Sequence, residues 1–260
     1  MPDRHFTGLH YGIANGKLLH VSEVARGLSC GCVCPSCGAI LVAKQGRIRE
    51  HHFAHSTGEP CRYAGETALH LAAKDILEKR RELVLPAVEV PFHSHALTIA
   101  PDRRYQIDSI SVEHRFANIV PDVLLHIGGH PLLVEIKVTH GVDDHKLRQI
   151  EKMGISAVEI DLSSAPRDYP PDELENIIVE DSAHKTWLYN VISDRQRKRM
   201  VSDADDLGVR GGAPDVIQEA RDGWAAARGS GRDTRRKTFA AVSPELLKCG
   251  DVLAVLGASA

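Results

Sequence analysis

The sequence predicts a mixed α/β protein whose core runs helix, three strands, helix, strand. Three observations predict it. Residues 66–83 contain neither Gly nor Pro and carry an apolar stripe at helical spacing. Two apolar segments, 119–127 and 131–138, flank Gly128-Gly129, a dipeptide suited to a tight hairpin turn. A short helix over about 142–153 stops before Gly154, the residue type that closes helices, and an apolar strand follows at 155–162.

In the first helix the stripe is Leu69, Ala72, Ala73, Ile76 and Leu77. Pro86 and Pro91 stop it and open an extended region. Tyr105, Ile107, Ile110 and Val112 fall in the first strand, with imperfect alternation. The second helix turns Leu147 and Ile150 inward. The expected organisation is a zinc-binding segment over 1–64, the core over 65–165 and a mainly helical extension over 166–260. Pro166, Pro170 and Pro171 mark the end of the core. Beyond them, 183–200 reads as a helix with a basic run at Arg195, Arg197, Lys198 and Arg199, and Gly-rich breaks at 208–212 and 229–231 separate further short pieces.

Composition excludes several classes. With 260 residues the chain has enough length for a sizeable core, and 43% hydrophobic residues rule out a wholly disordered chain. A net charge of -3 means that any contact with nucleic acid comes from a local patch. Aromatic residues at 5% argue against a surface built mainly to stack single-stranded bases. No stretch approaches the roughly 20 apolar residues of a membrane span. Residues 1–10 lack the apolar core of a signal peptide, so a cytoplasmic location is expected.

The strand pair carries chemistry. Pro-Asp occurs five times in the chain, so Pro121-Asp122 means little alone. Its context raises it. With Gly128 and Gly129 as the loop, paired residue numbers sum to 257, which sets Asp122 opposite Glu135. Their Cβ atoms would lie about 4.5–5.5 Å apart. Lys137, two residues on, shares that face. Carboxylates that close repel unless a divalent cation sits between them, and oxygen donors suit Mg2+ or Mn2+. The competing reading is a solvated hairpin face, although the apolar flanks Val123-Leu124-Leu125 and Leu132-Leu133-Val134 speak against it. Pro131, which lacks a ladder donor, would permit a shifted register. On the helix, Glu66, His70 and Lys74 recur every four residues and form a second, polar stripe.

Five of the six cysteines lie within the first 61 residues, interleaved with histidines. Without a signal peptide, this pattern points to a metal rather than to disulfides. Cys34-x2-Cys37 is a zinc-knuckle spacing, and Cys34, Cys37, His55 and Cys61 are the favoured four ligands, with His52 the alternative to Cys61. Cys30 and Cys32 offer other pairings. The hairpin between the knuckle and the histidines presents Lys44, Arg47 and Arg49 as a patch for backbone phosphates.

Taken in order, Glu66, Asp122 and Glu135-Ile136-Lys137 resemble the PD-(D/E)XK nuclease superfamily. More closely, Cys34-Pro35-Ser36-Cys37, His52-Phe53-Ala54-His55, Glu66-x3-His70-x3-Lys74 and Glu135-Ile136-Lys137-Val138-Thr139-His140 resemble the competence protein CoiA-like family. The resemblance runs from Cys34 to Leu162. It implies a restriction-endonuclease-like core and a Mg2+-dependent (or Mn2+-dependent) phosphodiesterase acting on nucleic acid, with DNA the expected substrate. Carried over by position, Asp122 and Glu135 are metal ligands, Lys137 stands near the attacking water, and Glu66 is the helix acid. His70, Lys74 and Lys146 are candidates for holding a neighbouring phosphate. The competing expectations are a non-cleaving module that grips DNA or a partner, and a subunit that docks through its C-terminal helices; a homodimer is also compatible.

Overall fold

The computed structural model describes residues 9–59, 61, 63–92, 95–164 and 170–206. Its first turn is Asn15-Gly16, both at positive φ (52° and 73°), the geometry that matches the twist of a two-residue hairpin. It joins β1 (Tyr11–Ala14) to β2 (Lys17–His20). The cysteine-rich segment then leads into β3 (Leu41–Lys44), which pairs antiparallel with β4 (His52–His55), Leu41 opposite His55 and Lys44 opposite His52. Leu9, Tyr11, Leu41 and Phe53 are buried in the same apolar cluster as the central sheet and first helix. The N-terminal segment therefore shares the core rather than standing as a separate knuckle.

Helix α1 (Ala64–Arg80) buries Ala68, Leu69, Ala72, Ala73 and Leu77, nearly the stripe expected; Ile76 is only partly buried. Arg81 closes it at φ 54°. Next come β5 (Glu82–Leu85), β6 (Val88–Phe92), β7 (His95–Ala100) and β8 (Arg103–Gln106), which form two small sheets, β5 with β8 and β6 with β7. The single strand expected around Tyr105 to Val112 is two: β9 (Ser109–Val112) starts after a break at Ile107-Asp108. There the backbone amides of Ile107 and Asp108 donate to Arg81 O and His126 O, so the chain leaves one sheet for another.

The central sheet has five strands in the order β13-β12-β11-β10-β9. Its hairpin, β10 (Val123–Ile127) to β11 (His130–Lys137), turns on Gly128 and Gly129 at φ 58° and 78°. Val123 pairs with Val134 and Ile127 with His130, the register that sums to 257, so Pro131 causes no slip. Helix α2 (Asp144–Met153) starts where the Asp143 side chain accepts from the Lys146 amide at 2.7 Å and ends at Gly154, φ 63°. It carries the chain over to β12 (Ala157–Asp161), parallel to β11. One sheet face, with Val123, Leu125, Val134, Ile136, Val158 and Ile160, packs in the cluster of α1. The other, with Leu124, Leu133 and Ala157, meets Leu147 and Ile150 of α2.

Two expectations are corrected. The sheet's fifth strand, β13 (Lys185–Tyr189), lies where a helix was expected to begin; the helical part, α4 (Val191–Asp206), starts after it. Helix α3 (Pro171–Val179) packs Leu174, Ile177 and Ile178 into the main core. The boundary expected at 165 therefore falls inside the packed fold, and only part of 166–260 is a helical extension. The Gly-rich breaks at 208–212 and 229–231, and Cys249, lie outside the described residues. Among the described residues no helix is long and apolar enough to cross a membrane.

Candidate functional site

Two centres emerge. The first lies at the end of the central sheet where β11 finishes. Residues of one strand parity share a face, so Glu135 and Lys137 lie on the α2 side with Leu133. The parallel register brings Glu159 beside Glu135 and Asp161 beside Lys137. Asp122 sits one residue before β10, just beyond the last pair of the hairpin, Val123 with Val134. Its Oδ2 accepts from the Ile136 amide at 2.9 Å, across the hairpin.

The helix stripe reaches this end of the sheet. Glu66 Oε1 accepts from Thr139 Oγ1 at 2.7 Å. His70 Nδ1 stands 3.7 Å from Asp122 Oδ2, an electrostatic rather than a hydrogen-bonding distance. Lys74 Nζ lies 2.8 Å from Glu113 Oε1 and 3.5 Å from Asp122 Oδ1. On the other side Lys146 Nζ donates to Glu135 Oε2 at 2.6 Å, and Lys137 Nζ to Asp161 Oδ2 at 2.7 Å. Lys74, Lys137 and Lys146 thus each face an acid. Glu113, Glu159 and Asp161 were not anticipated.

Environment separates the two acids. Burial alone would raise the Asp122 pKa, but His70, the Ile136 amide and the Lys74 charge outweigh it and hold the carboxyl at about 2. Burial pushes Glu135 up to about 7 against the pull of Lys146, with the charges of Asp122 and Glu159 adding to the rise. Glu135 Oε1 is buried and has no hydrogen-bond partner. The loop after β11 is seated by Glu159, whose Oε2 accepts from the Val142 amide at 3.2 Å. A Cβ at Gly141 would lie 2.9 Å from that same oxygen, which is why the position suits glycine.

The second centre is the cysteine–histidine group. Cys34, Cys37, His55 and Cys61 bring their ligand atoms within 4.8 Å of one another, and among the described residues this is the one such group of three or more potential metal ligands. Cys37 Sγ and His55 Nε2 are 3.4 Å apart, close to the edge of about 3.5–3.8 Å that tetrahedral zinc bonds imply. The group can hold a metal ion such as zinc. His52 is not part of it: three residues from His55 on one strand, its ring leaves the opposite face and its Nδ1 pairs with Glu50 O. Cys30 and Cys32 are buried, with their thiols on Leu41 O and Cys30 O. Burial raises the Cys34 thiol, whereas the Ser36 hydroxyl, 3.5 Å away, is the chief influence lowering Cys61.

No curated protein and no solved structure matches the chain. A family model does, and its span contains all four residues of the cysteine–histidine group: over residues 23–64 the chain is similar to the N-terminal domain of competence protein CoiA.

Proposed function

We propose that the chain is a divalent-metal-dependent nuclease of the PD-(D/E)XK type that hydrolyses phosphodiester bonds of nucleic acid, DNA foremost, in uptake, recombination or defence. The observation that carries this reading is the placement of Asp122 just before a hairpin of fixed register whose second strand carries Glu135 and Lys137 on one face. The likeness to a competence protein supports the uptake arm.

The residues fit a hard divalent cation. The donors are carboxylate oxygens, and the orphaned Oε1 of Glu135 is an oxygen that such an ion would satisfy. Asp122 and Glu135 would hold Mg2+ or Mn2+, which when bound would polarise the phosphate and lower the pKa of a water. Asp122, at about 2, is ionised at any working pH. Lys137 supplies positive charge on the face where negative charge builds on the phosphate. Glu66, through Thr139, steadies the loop that follows Lys137. His70, Lys74 and Lys146 would trade their carboxylate partners for a neighbouring phosphate. Zn2+ in the cysteine–histidine group has a structural role, tying residues 34–61 together. A cytoplasmic location and a homodimeric or protein partner at the C-terminal helices complete the reading.

A second reading, a module that grips DNA without cutting, draws on one observation. Lys146 on Glu135 and Lys137 on Asp161 already neutralise acids of the site. Cleavage of linear, circular and single-stranded DNA by wild type, Asp122→Ala, Glu135→Ala and Lys137→Ala, with and without Mg2+ or Mn2+, separates the two. Metal-dependent cutting that the variants lose is the expected result; binding without cutting by wild type would establish the module instead.

A further inference from the structure

We propose that the turn joining β3 to β4 is a duplex-binding element in which Ile48 enters the minor groove as an apolar wedge between base steps while Arg47 and Arg49 contact the flanking phosphates. The inference rests on the nucleic-acid reading above for the class of partner and adds that the substrate is double-stranded.

Ile48 is 98% exposed, at the point where the chain bends over residues 47–49. A single exposed isoleucine needs no explanation, but this one sits between two arginines. Arg47 and Arg49 are exposed and take part in no ion pair among the described residues, and Lys44 and His51 are exposed at the two shoulders of the turn. The turn's one acid is Glu50, whose carbonyl pairs with His52.

The stalk beneath is anchored. Gln45 Nε2 donates to Val21 O at 2.6 Å and Val24 O at 3.0 Å. Leu41 and Phe53 are buried, and His55 belongs to the cysteine–histidine group. An apolar side chain held between cations on a narrow, pre-ordered tip is the arrangement by which proteins unstack a base step and bend a duplex. Other occupants fit less well. Residues 45–51 contain no Phe, Tyr or Trp, so the tip lacks the platform that single strands stack on. One isoleucine is far smaller than the acyl chain that itself gives only marginal membrane binding.

The test uses the full chain carrying Glu135→Gln, so that binding is not followed by cutting. Its probes are a duplex of about 25 base pairs, the matching single strand, and vesicles of phosphatidylcholine with phosphatidylserine. Ile48→Ala is expected to weaken duplex binding about tenfold and abolish the bend read by end-to-end energy transfer, leaving single-strand binding and zinc content unchanged. Arg47→Ala and Arg49→Ala each lower the slope of log affinity against log salt by about 1. Ile48→Lys adds a cation and binds by charge, yet fails to bend. An Ile48→Ala protein that binds and bends the duplex like its parent overturns the proposal. So does a parent that prefers vesicles or the single strand. Wedge-dependent binding by a wild-type chain that never cuts would sink the nuclease reading while leaving this one standing.

Discussion

Lys146 Nζ holds one oxygen of the Glu135 carboxylate at 2.6 Å while the other oxygen is buried with no partner. The carboxylate is thus half satisfied. Burial dominates, and the pKa rises from 4.5 to about 7. Between those values the folded chain binds a proton that the unfolded chain has released, so stability falls as pH rises through that window. The expected loss is on the order of 3 kcal/mol. Urea unfolding without added Mg2+ or Mn2+, from about pH 4.5 to 7.5, should show this decline, and Glu135→Gln should flatten it relative to wild type. Equal slopes in the two proteins would mean that Glu135 ionises freely.

Lys146→Met should be most harmful where Glu135 is charged. Removing one partner of a buried pair costs about 3–5 kcal/mol. The measured penalty should therefore be large near pH 8, shrink near pH 5, and vanish in the Lys146→Met, Glu135→Gln double variant. A pH-independent penalty would assign Lys146 a packing role.

Gly141→Ala sets a methyl 2.9 Å from Glu159 Oε2. The side chain can swing aside, but it then loses the Val142 amide, a loss of about 1 kcal/mol. The double variant with Glu159→Ala should cost no more than Glu159→Ala alone. Simple additivity in thermal unfolding would break the link between loop and strand.

Zinc analysis of purified protein should find one ion per chain. Cys37→Ser and His55→Ala should lose it, as should treatment with a strong chelator, and the N-terminal segment should unfold with it. Cys30→Ala and His52→Ala should keep it, because neither side chain reaches the group. Retention of zinc by Cys37→Ser would point to a different ligand set.

What could be read from sequence depended on how directly each contact is encoded. A two-residue turn fixes the register of everything on its two strands, so the pairing of Val123 with Val134 was legible by counting. The cysteine–histidine group was legible because the spacing of Cys34 and Cys37 is itself local. Glu159 and Asp161 were not, since their register against β11 passes through helix α2, and no count along the chain sets it. Glu113 enters the site through an irregular loop at φ 50°, which leaves no periodic trace. β13 was read as helix because Ala183 to Met200 has no Gly or Pro to interrupt it. The missed signal is Thr186-Trp187-Leu188-Tyr189 followed by Asn190, whose side chain accepts from the amides of Ile192 and Ser193 and starts α4. The short hairpin at Asn15-Gly16 was equally visible and equally missed.

The parallel pairing of β11 with β12 also sets an order of assembly. A hairpin closed by two residues forms in roughly 1–10 μs, whereas a parallel pair must wait for its crossover helix and the loop closure that goes with it. The hairpin that carries Glu135 and follows Asp122 thus forms early, while Glu159 and Asp161 arrive only when the sheet is complete. A chain caught part-way on the ribosome would carry the two acids without the neighbours that raise Glu135 and restrain Lys137. The charged face is finished only with the fold, so a nascent or nicked chain has the two acids but not their tuned electrostatics.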